Sequence, residues 1–303
     1  RSDLIESYKS AAKEKGLSGY LVAVDDGNFD VIMTSCSVSK TRRKMHKVYT
    51  SCVSKKNNKL LFELLNIRRE TASILGYKTP AHMLMTNRMV TEPERALKFI
   101  EDLMSRYAEK AKQEYKDLLS YVQINQNKKV TELEQFEFDS GLNLYYPAKY
   151  FEHLYKLNLE DTKAYFEFNK VRTYMFDCLA KLYSVRFEVS STESWHKDVE
   201  VYDIYDSANS HIAQVHCDWF SRKDKHGHAW MNEFVIAERK TADTKPHVGC
   251  VIMNLSPATE TTPSLMSVDS VETMWHEFGH FMHLAFSDTY LKEQSMMNVK
   301  RDF

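Results

Sequence analysis

The sequence predicts a mostly α-helical α+β fold, in which long helices precede a small antiparallel or mixed sheet and one further helix. Only 8 of the 303 residues are glycine, which favours long helices over a turn-rich all-β fold. Apolar residues recur at helical spacing through the first two-thirds of the chain. From Arg186 onward, short β-branched and aromatic runs separated by turn residues replace that pattern.

Three segments of the first region carry strong helical patterns: "KKNNKLLFELLNIRRETASILGY", which stops at Gly76, "TEPERALKFIEDLMSRYAEKAKQEYKDLLSYV" and "NKVRTYMFDCLAKLYS". In the second segment, apolar residues form a stripe from Leu97 to Val122 that we expect to pack in a core. One early hairpin is also predicted, with "GYLVAV" and "FDVIM" joined through the turn residues "DDGN".

Five strands are predicted after Arg186: "RFEV", "DVEVYDIYD", "HIAQVHCDWF", "AWMNEFVIAE" and "VGCVIMNLS". They lie close together in sequence, which favours an antiparallel or mixed sheet over βαβ units. A helix follows, with its predicted start at Asp269. We therefore expect a mainly helical region over 1–185 and a region of sheet plus helix over 186–303.

Composition and charge bound the class of protein. Hydrophobic residues make up 43% of the chain, and 41 basic residues balance 42 acidic ones. Such a chain can form a sizeable core but lacks the basic surface of a nucleic-acid-binding protein. No run approaches the ~18 consecutive apolar residues of a membrane span, and the five cysteines contain no Cys-x-x-Cys pair. We expect a cytoplasmic protein without nucleic-acid or membrane partners, and a fragment, since it starts at Arg1 rather than Met.

The last predicted helix carries the pattern His276-Glu277-x-x-His280. Residues four apart lie one turn apart on the same helix face, with Cβ atoms ~5–6 Å from each other, so both imidazoles can reach one metal ion. Zinc accepts histidine nitrogens at ~2.0–2.1 Å. Glu277 is turned away from that face and can meet a metal-bound water without binding the metal. This division of labour is typical of a hydrolytic zinc site.

Two further residues of this helix are candidates for a role at the metal site, and the sequence supports them less strongly. His283 lies seven residues from His276, about 10 Å along the helix axis, so one zinc ion cannot bind both. Glu272 lies one turn before His276. It can accept the imidazole N–H and fix the ring's tautomer, or it can belong to the helix N-terminus, and the sequence leaves both roles open.

The stretches "VETMWHEFGHFMH" and "NVKRDF" resemble the M3 family of zinc oligopeptidases. So do "WHKDVEVYDIYD", "DWFSRKDKHGHA" and "VIMNLSPATETTPSLMSV", in the family's order. Upstream, "TRRKM" and "RRETASILGYKTPAHML" are similar to the thimet oligopeptidase and neurolysin branch. The resemblance extends from about Leu17 to Phe303 and is weakest over 124–150.

The resemblance implies a zincin-like core, with 1–185 forming part of a helical channel wall. His276 and His280 match the zinc-binding histidines, and Glu277 matches the catalytic glutamate. The family's third ligand is a glutamate after an Asp-Phe-Val stretch. Asp302 and Phe303 match the start of that stretch. We therefore expect Val and Glu as the next two residues of an incomplete chain, with substrate-binding residues further downstream.

The function implied is that of a zinc metalloendopeptidase of peptide metabolism, which hydrolyses internal bonds of short peptides through a zinc-bound water with Glu277 as general base. "VGCVIMNLS" or "HAWMNEFV" can pair with an extended peptide substrate by strand addition. Two alternatives stay open: a peptidyl-dipeptidase that releases C-terminal dipeptides, or a non-catalytic peptide-binding fragment that lacks the third ligand. We expect a monomer when the chain is complete.

Overall fold

The structure, a computed structural model, describes residues 2–51, 54–126, 144–222, 225–237, 245–258 and 262–302. The helices are α1 (Ser2–Glu14), α2 (Asp26–Ser35), α3 (Ser39–Ser51), α4 (Ser54–Ile74), α5 (Pro80–Met85), α6 (Pro93–Gln126), α7 (Tyr145–Tyr155), α8 (Leu159–Thr162), α9 (Phe168–Tyr183) and α10 (Val268–Ala285). The strands are β1 (Arg186–Val189), β2 (Glu200–Tyr205), β3 (His211–Phe220), β4 (Trp230–Val235) and β5 (His247–Leu255).

The chain forms two compact units, Arg1–Lys156 with Asp302, and Leu157–Arg301 with Phe303. In the first unit, Arg42 of "TRRKM" is buried between helices. Its guanidinium donates a hydrogen bond of 2.6 Å to the Cys36 carbonyl and lies 4.5 Å from the centre of the Tyr145 ring. Val122 of α6 and Tyr146 of α7 form a second small cluster.

The second unit contains a five-stranded mixed sheet in the order β1-β2-β3-β5-β4. All pairs are antiparallel except β3 with β5, which run parallel. Helices α9 and α10 contribute buried residues to one continuous core with the sheet. The predicted five strands and mixed sheet are therefore confirmed. The division of the protein into domains at 185/186 stays a prediction.

The predicted early hairpin is wrong. Phe29–Met33 lies in helix α2, and residues 21–24 form no strand. The reason is local, because the Asp25 carboxylate accepts a hydrogen bond of 2.8 Å from the Asn28 backbone N–H and caps the helix. The "DDGN" stretch that reads as a hairpin turn is a helix start, and a short apolar run by itself does not distinguish a strand from a helix.

The predicted core stripe of α6 is only partly right. Val122 is buried, but the stripe's N-terminal half is exposed to solvent. Only the C-terminal half of α6 packs against the aromatic side chains of α7. The exposed positions are Leu97, Ile100, Leu103, Met104 and Tyr107. Helix periodicity identified the apolar face correctly but could not show whether another element covers it.

No helix within the described ranges is both long enough and apolar enough to cross a membrane. Four of the five cysteines are free thiols, namely Cys36, Cys178, Cys217 and Cys250. Cys52 lies outside the described residues.

Candidate active site

Helix α10 presents the candidate site, and its ends are set by the sequence. Ser267 is the N-cap, and its hydroxyl accepts a hydrogen bond of 3.1 Å from the Ser270 backbone N–H. The helix therefore begins slightly before the predicted start at Asp269, which lies in the first turn. An acidic residue there interacts favourably with the helix dipole.

The buried face of α10 fixes its rotation on the sheet. Phe278 and Phe281 are fully buried, and α10 packs on β3, β4 and β5. The Phe278 ring stacks on Trp219 of β3 with centroids 5.9 Å apart and meets Phe176 of α9 edge-on at 5.4 Å. Large aromatic side chains held on two sides resist rotation of the helix. The opposite face, with both histidines of the motif, is therefore held toward solvent.

His276 and His280 are exposed neighbours whose rings converge. Their Nε2 atoms are 3.0 Å apart, and the ring planes are nearly perpendicular at 88°. Two nitrogens bound to one tetrahedral zinc are roughly 3.3 Å apart, given Zn–N bonds of ~2.0–2.1 Å. The pair therefore fits the geometry of two ligands of one metal ion. The donor type also fits, because neutral imidazole is a preferred zinc ligand.

Glu277 occupies a different environment from the two histidines. Its side chain is only 8% exposed, and it makes no side-chain hydrogen bond or ion pair with any described residue. On a helix it projects roughly 80° away from the mean direction of the histidines, toward the edge of the buried face. Within the described part of the chain, the Glu277 carboxylate is therefore not held by another side chain.

The structure assigns neither of the two neighbouring residues to the metal site. Glu272 is exposed and makes no hydrogen bond to His276 among the described residues, and because Ser267 is the N-cap, it is not a capping residue either. Its predicted role in fixing the His276 tautomer stays a prediction. His283 lies in the last turn of α10 and is exposed.

Within the described residues, no group of three or more His, Cys, Asp and Glu side chains is arranged to hold a metal ion. Catalytic zinc sites use three protein ligands, and the described residues offer one convergent pair of histidines at this position. The predicted third ligand, a glutamate that follows Phe303 at a short distance, falls outside this sequence.

The sequence analysis missed two features that position α10. Gly249 of β5 lies directly under the helix. A Cβ atom there would be 2.8 Å from the Asn232 carbonyl oxygen and 3.2 Å from the Phe281 ring. The only signal in the sequence was a glycine inside a strand pattern, which indicates a close approach. Second, β4 is an edge strand, whereas β5 is paired on both sides.

The profile of peptidase family M3 matches residues 32–303. The match covers most of the chain and includes the sheet, helix α10 and both histidines of the motif. The chain therefore belongs to peptidase family M3.

Curated relatives give the same grouping. The chain is 29% identical to oligopeptidase A of Escherichia coli over 91% of its length and 41% of that protein. It is 28% identical to the thimet-like oligopeptidase of Dictyostelium discoideum, over 99% of this chain and 45% of that one. It is 27% identical to the dipeptidyl carboxypeptidase of E. coli, over 97% and 43%. The chain thus spans less than half the length of these relatives.

Proposed function

We propose that this chain carries the zinc-binding helix of a metalloendopeptidase that hydrolyses internal bonds of short peptides, with Glu277 as the general base. The observation that carries the proposal is the convergence of the His276 and His280 Nε2 atoms at 3.0 Å, beside the largely buried Glu277, which makes no side-chain hydrogen bond with the described residues. Membership of peptidase family M3 supports it. The third ligand, a glutamate beyond Phe303, and the zincin-like core are parts of the same proposal.

The proposed chemistry divides between the metal and this chain. Bound zinc supplies a Lewis acid that polarises a carbonyl and acidifies water. His276 and His280 hold the ion in place. Glu277 takes a proton from the attacking water and gives it to the leaving amine.

Strand β4 is the better of the two candidates for binding an extended peptide. Both sides of β5 are occupied, by β3 and by β4, so β5 has no free edge. On the outer side of β4, no strand pairs with it among the residues that the structure describes. An unpaired strand edge offers backbone N–H and C=O groups to a peptide. Because α10 packs on β4, a peptide on that edge would run beside the active-site helix.

The test is hydrolysis of an internally quenched nonapeptide by the zinc-loaded protein, compared with its Glu277→Gln variant. Glutamine preserves the size of the side chain but cannot take a proton. The variant is expected to lose a factor of roughly 10²–10⁴ in kcat. Equal zinc binding and equal thermal stability of the two proteins serve as the control. Undiminished hydrolysis by the variant would remove Glu277 from the mechanism.

A peptidyl-dipeptidase is the second candidate, favoured by the similarity to a dipeptidyl carboxypeptidase over 97% of the chain. Mass spectrometry of the products separates the two activities. Cleavage at internal bonds of a C-terminally amidated peptide supports the endopeptidase. Release of C-terminal dipeptides, abolished by amidation, supports the alternative. No cleavage by the folded, zinc-loaded chain would leave the third reading, a non-catalytic peptide-binding fragment.

The remaining parts of the proposal concern the complete protein. We place it in the cytoplasm as a monomer, and the four free cysteines agree with a reducing compartment. Residues 1–185 would form part of a channel wall, and 186–303 would form an incomplete catalytic domain. Gel filtration of the complete protein tests the first point. Limited proteolysis around 185/186 tests the second.

A further inference from the structure

His247 joins the ends of the two elements that define the candidate active site. It is the first residue of β5 and is 5% exposed. Its Nδ1 accepts a hydrogen bond of 3.1 Å from the backbone N–H of Ala237, two residues after β4 ends. Its Nε2 lies 2.9 Å from the carbonyl oxygen of Ser287, two residues after α10 ends. One imidazole therefore bridges the edge strand and the active-site helix.

These partners allow only one form of the ring. A backbone N–H can only donate, so Nδ1 must be unprotonated, and a carbonyl can only accept, so Nε2 must carry the hydrogen. Protonation of Nδ1 would break the bond to Ala237 and leave a buried N–H unpaired. Burial lowers the pKa of His247, although its hydrogen bond to Ser287 and the charge of Asp288 act in the opposite direction. The neutral ring is thus the form that fits this position.

The ring lies beside a cavity of about 630 Å³. Charged and titratable groups from every adjoining segment line this cavity. Asp206 and His211 flank the turn between β2 and β3, Lys245 precedes β5, and Asp288 follows α10. His211 is itself 3.1 Å from the Asp203 carboxylate. Of these groups, Asp288 acts on the pKa of His247, and it opposes the lowering caused by burial.

We propose that His247, in its neutral Nε2–H form, is a positioning residue that sets the end of strand β4 against the end of helix α10. The proposal rests on the proposed function only in that β4 binds peptide and α10 holds the catalytic groups. If β4 is displaced, peptide binding weakens, and if the end of α10 is displaced, the spacing of the catalytic groups changes. The two hydrogen bonds of His247 control these two displacements separately.

Two variants each remove one of the two hydrogen bonds and keep the other, because an amide side chain can replace one ring nitrogen but not both. In His247→Asn, the side-chain oxygen takes the place of Nδ1 and preserves the bond from Ala237. In His247→Gln, the side-chain nitrogen takes the place of Nε2 and preserves the bond to Ser287. Neither side chain titrates. His247→Leu removes both bonds, and His283→Gln replaces an exposed histidine near the same end of α10 as a control.

The first measurement is amide hydrogen exchange, expressed as protection factors, which requires neither zinc nor activity. The Gln variant is expected to lose protection at Ala237 about tenfold, and the Asn variant to lose it around Ser287 instead. The Leu variant should lose both, and the control neither. In the wild type, protection at Ala237 should fall as His247 is protonated at low pH, whereas in the Asn variant it should not. Equal loss at both segments in every variant would overturn the proposal.

The second measurement is peptide hydrolysis by the same proteins. The Gln variant, with β4 released, is expected to raise KM several-fold with little change in kcat. The Asn variant should mainly lower kcat. In another outcome, KM rises and kcat falls by the same factor in each variant, in proportion to the fall in its Tm. His247 would then have only a structural role. The expected exchange pattern without hydrolysis by any protein would uphold the bridge and, for this chain, leave the non-catalytic peptide-binding alternative.

Discussion

At the scale of single residues, the candidate site consists of a few side chains whose environments differ sharply. His276 and His280 face solvent and converge, whereas Glu277, next to one of them in sequence, is almost buried. The proposed ligands and the proposed base thus occupy neighbouring positions on the helix in different surroundings. In the proposed mechanism, this arrangement separates metal binding from proton transfer.

Removal of either histidine is expected to weaken zinc binding by well over tenfold, since even residues that only support metal ligands contribute 10–100-fold to affinity. The measurement is competition with a chelating dye, on His276→Asn, His280→Asn and the control His283→Gln. The control should bind zinc like the wild type. If the control lost as much affinity as the other two variants, the assignment of the ligand pair would be wrong.

Asp218 is a buried carboxylate that accepts hydrogen bonds from three side chains. Burial acts to raise its pKa, but hydrogen bonds from Arg222, Lys225 and Trp195 outweigh this and lower it to about 2. Because its pKa is lower in the folded than in the unfolded state, the ionised form stabilises the fold above pH ~4. That contribution, on the order of 2 kcal/mol, is lost as the pH falls toward 2.

Asp218→Asn is therefore expected to lower the free energy of unfolding by about 3–5 kcal/mol at pH 7, because it leaves the buried Lys225 ammonium without its counter-charge. The difference in the free energy of unfolding between the variant and the wild type should become smaller as the pH falls from 4 to 2. Urea denaturation across that pH range measures this difference. Asp198→Asn, at an exposed carboxylate, should change stability by less than about 0.5 kcal/mol. A pH-independent difference for Asp218→Asn would contradict the explanation.

At the scale of elements, two glycines show how α10 is seated. Gly249 has no room for a Cβ atom, because the Asn232 carbonyl oxygen and the Phe281 ring occupy that space. Gly279, inside α10, has no such neighbour among the described residues. A glycine is therefore required at position 249 of the strand, whereas position 279 of the helix has room for a larger side chain.

Gly249→Ala is expected to destabilise the protein by about 1–3 kcal/mol, because the β4 backbone at Asn232 must shift and the Phe281 ring of α10 must give way. Gly279→Ala is expected to stabilise it by about 0.5–1 kcal/mol, because alanine restricts the unfolded chain and favours the helix. Thermal or urea unfolding of both variants tests the pair. A Gly249→Ala variant as stable as the wild type would show that α10 does not pack on Gly249 as described.

At the scale of the whole molecule, long apolar helix faces are exposed within the part of the chain that the structure describes. Seven large apolar residues of α4 are exposed, namely Leu60, Leu61, Phe62, Leu64, Leu65, Ile67 and Ile74. The N-terminal half of α6 adds a similar face. Contiguous apolar surface of this kind favours association in water.

This chain is therefore expected to self-associate at micromolar concentrations, with an average mass that rises with concentration in sedimentation experiments. Leu61→Lys combined with Leu65→Lys should reduce the association, since the charges interrupt the apolar face. Asn58→Lys combined with Asn66→Lys adds the same charge at polar positions of the same helix and should reduce it much less. A wild-type chain that stays monomeric throughout would contradict the expectation.

The sequence by itself determined the locally encoded features. These are the five strands, the long helices and the histidine pair, because side-chain periodicity and the spacing of four residues act within one element. Where local signals were ambiguous, as at Asp25, they misled. Only the tertiary structure decided that β4 is the edge strand, that Gly249 seats α10, that Glu277 is buried and that His247 bridges two elements. Each of these depends on residues far apart in sequence, which packing brings together and which no local pattern specifies.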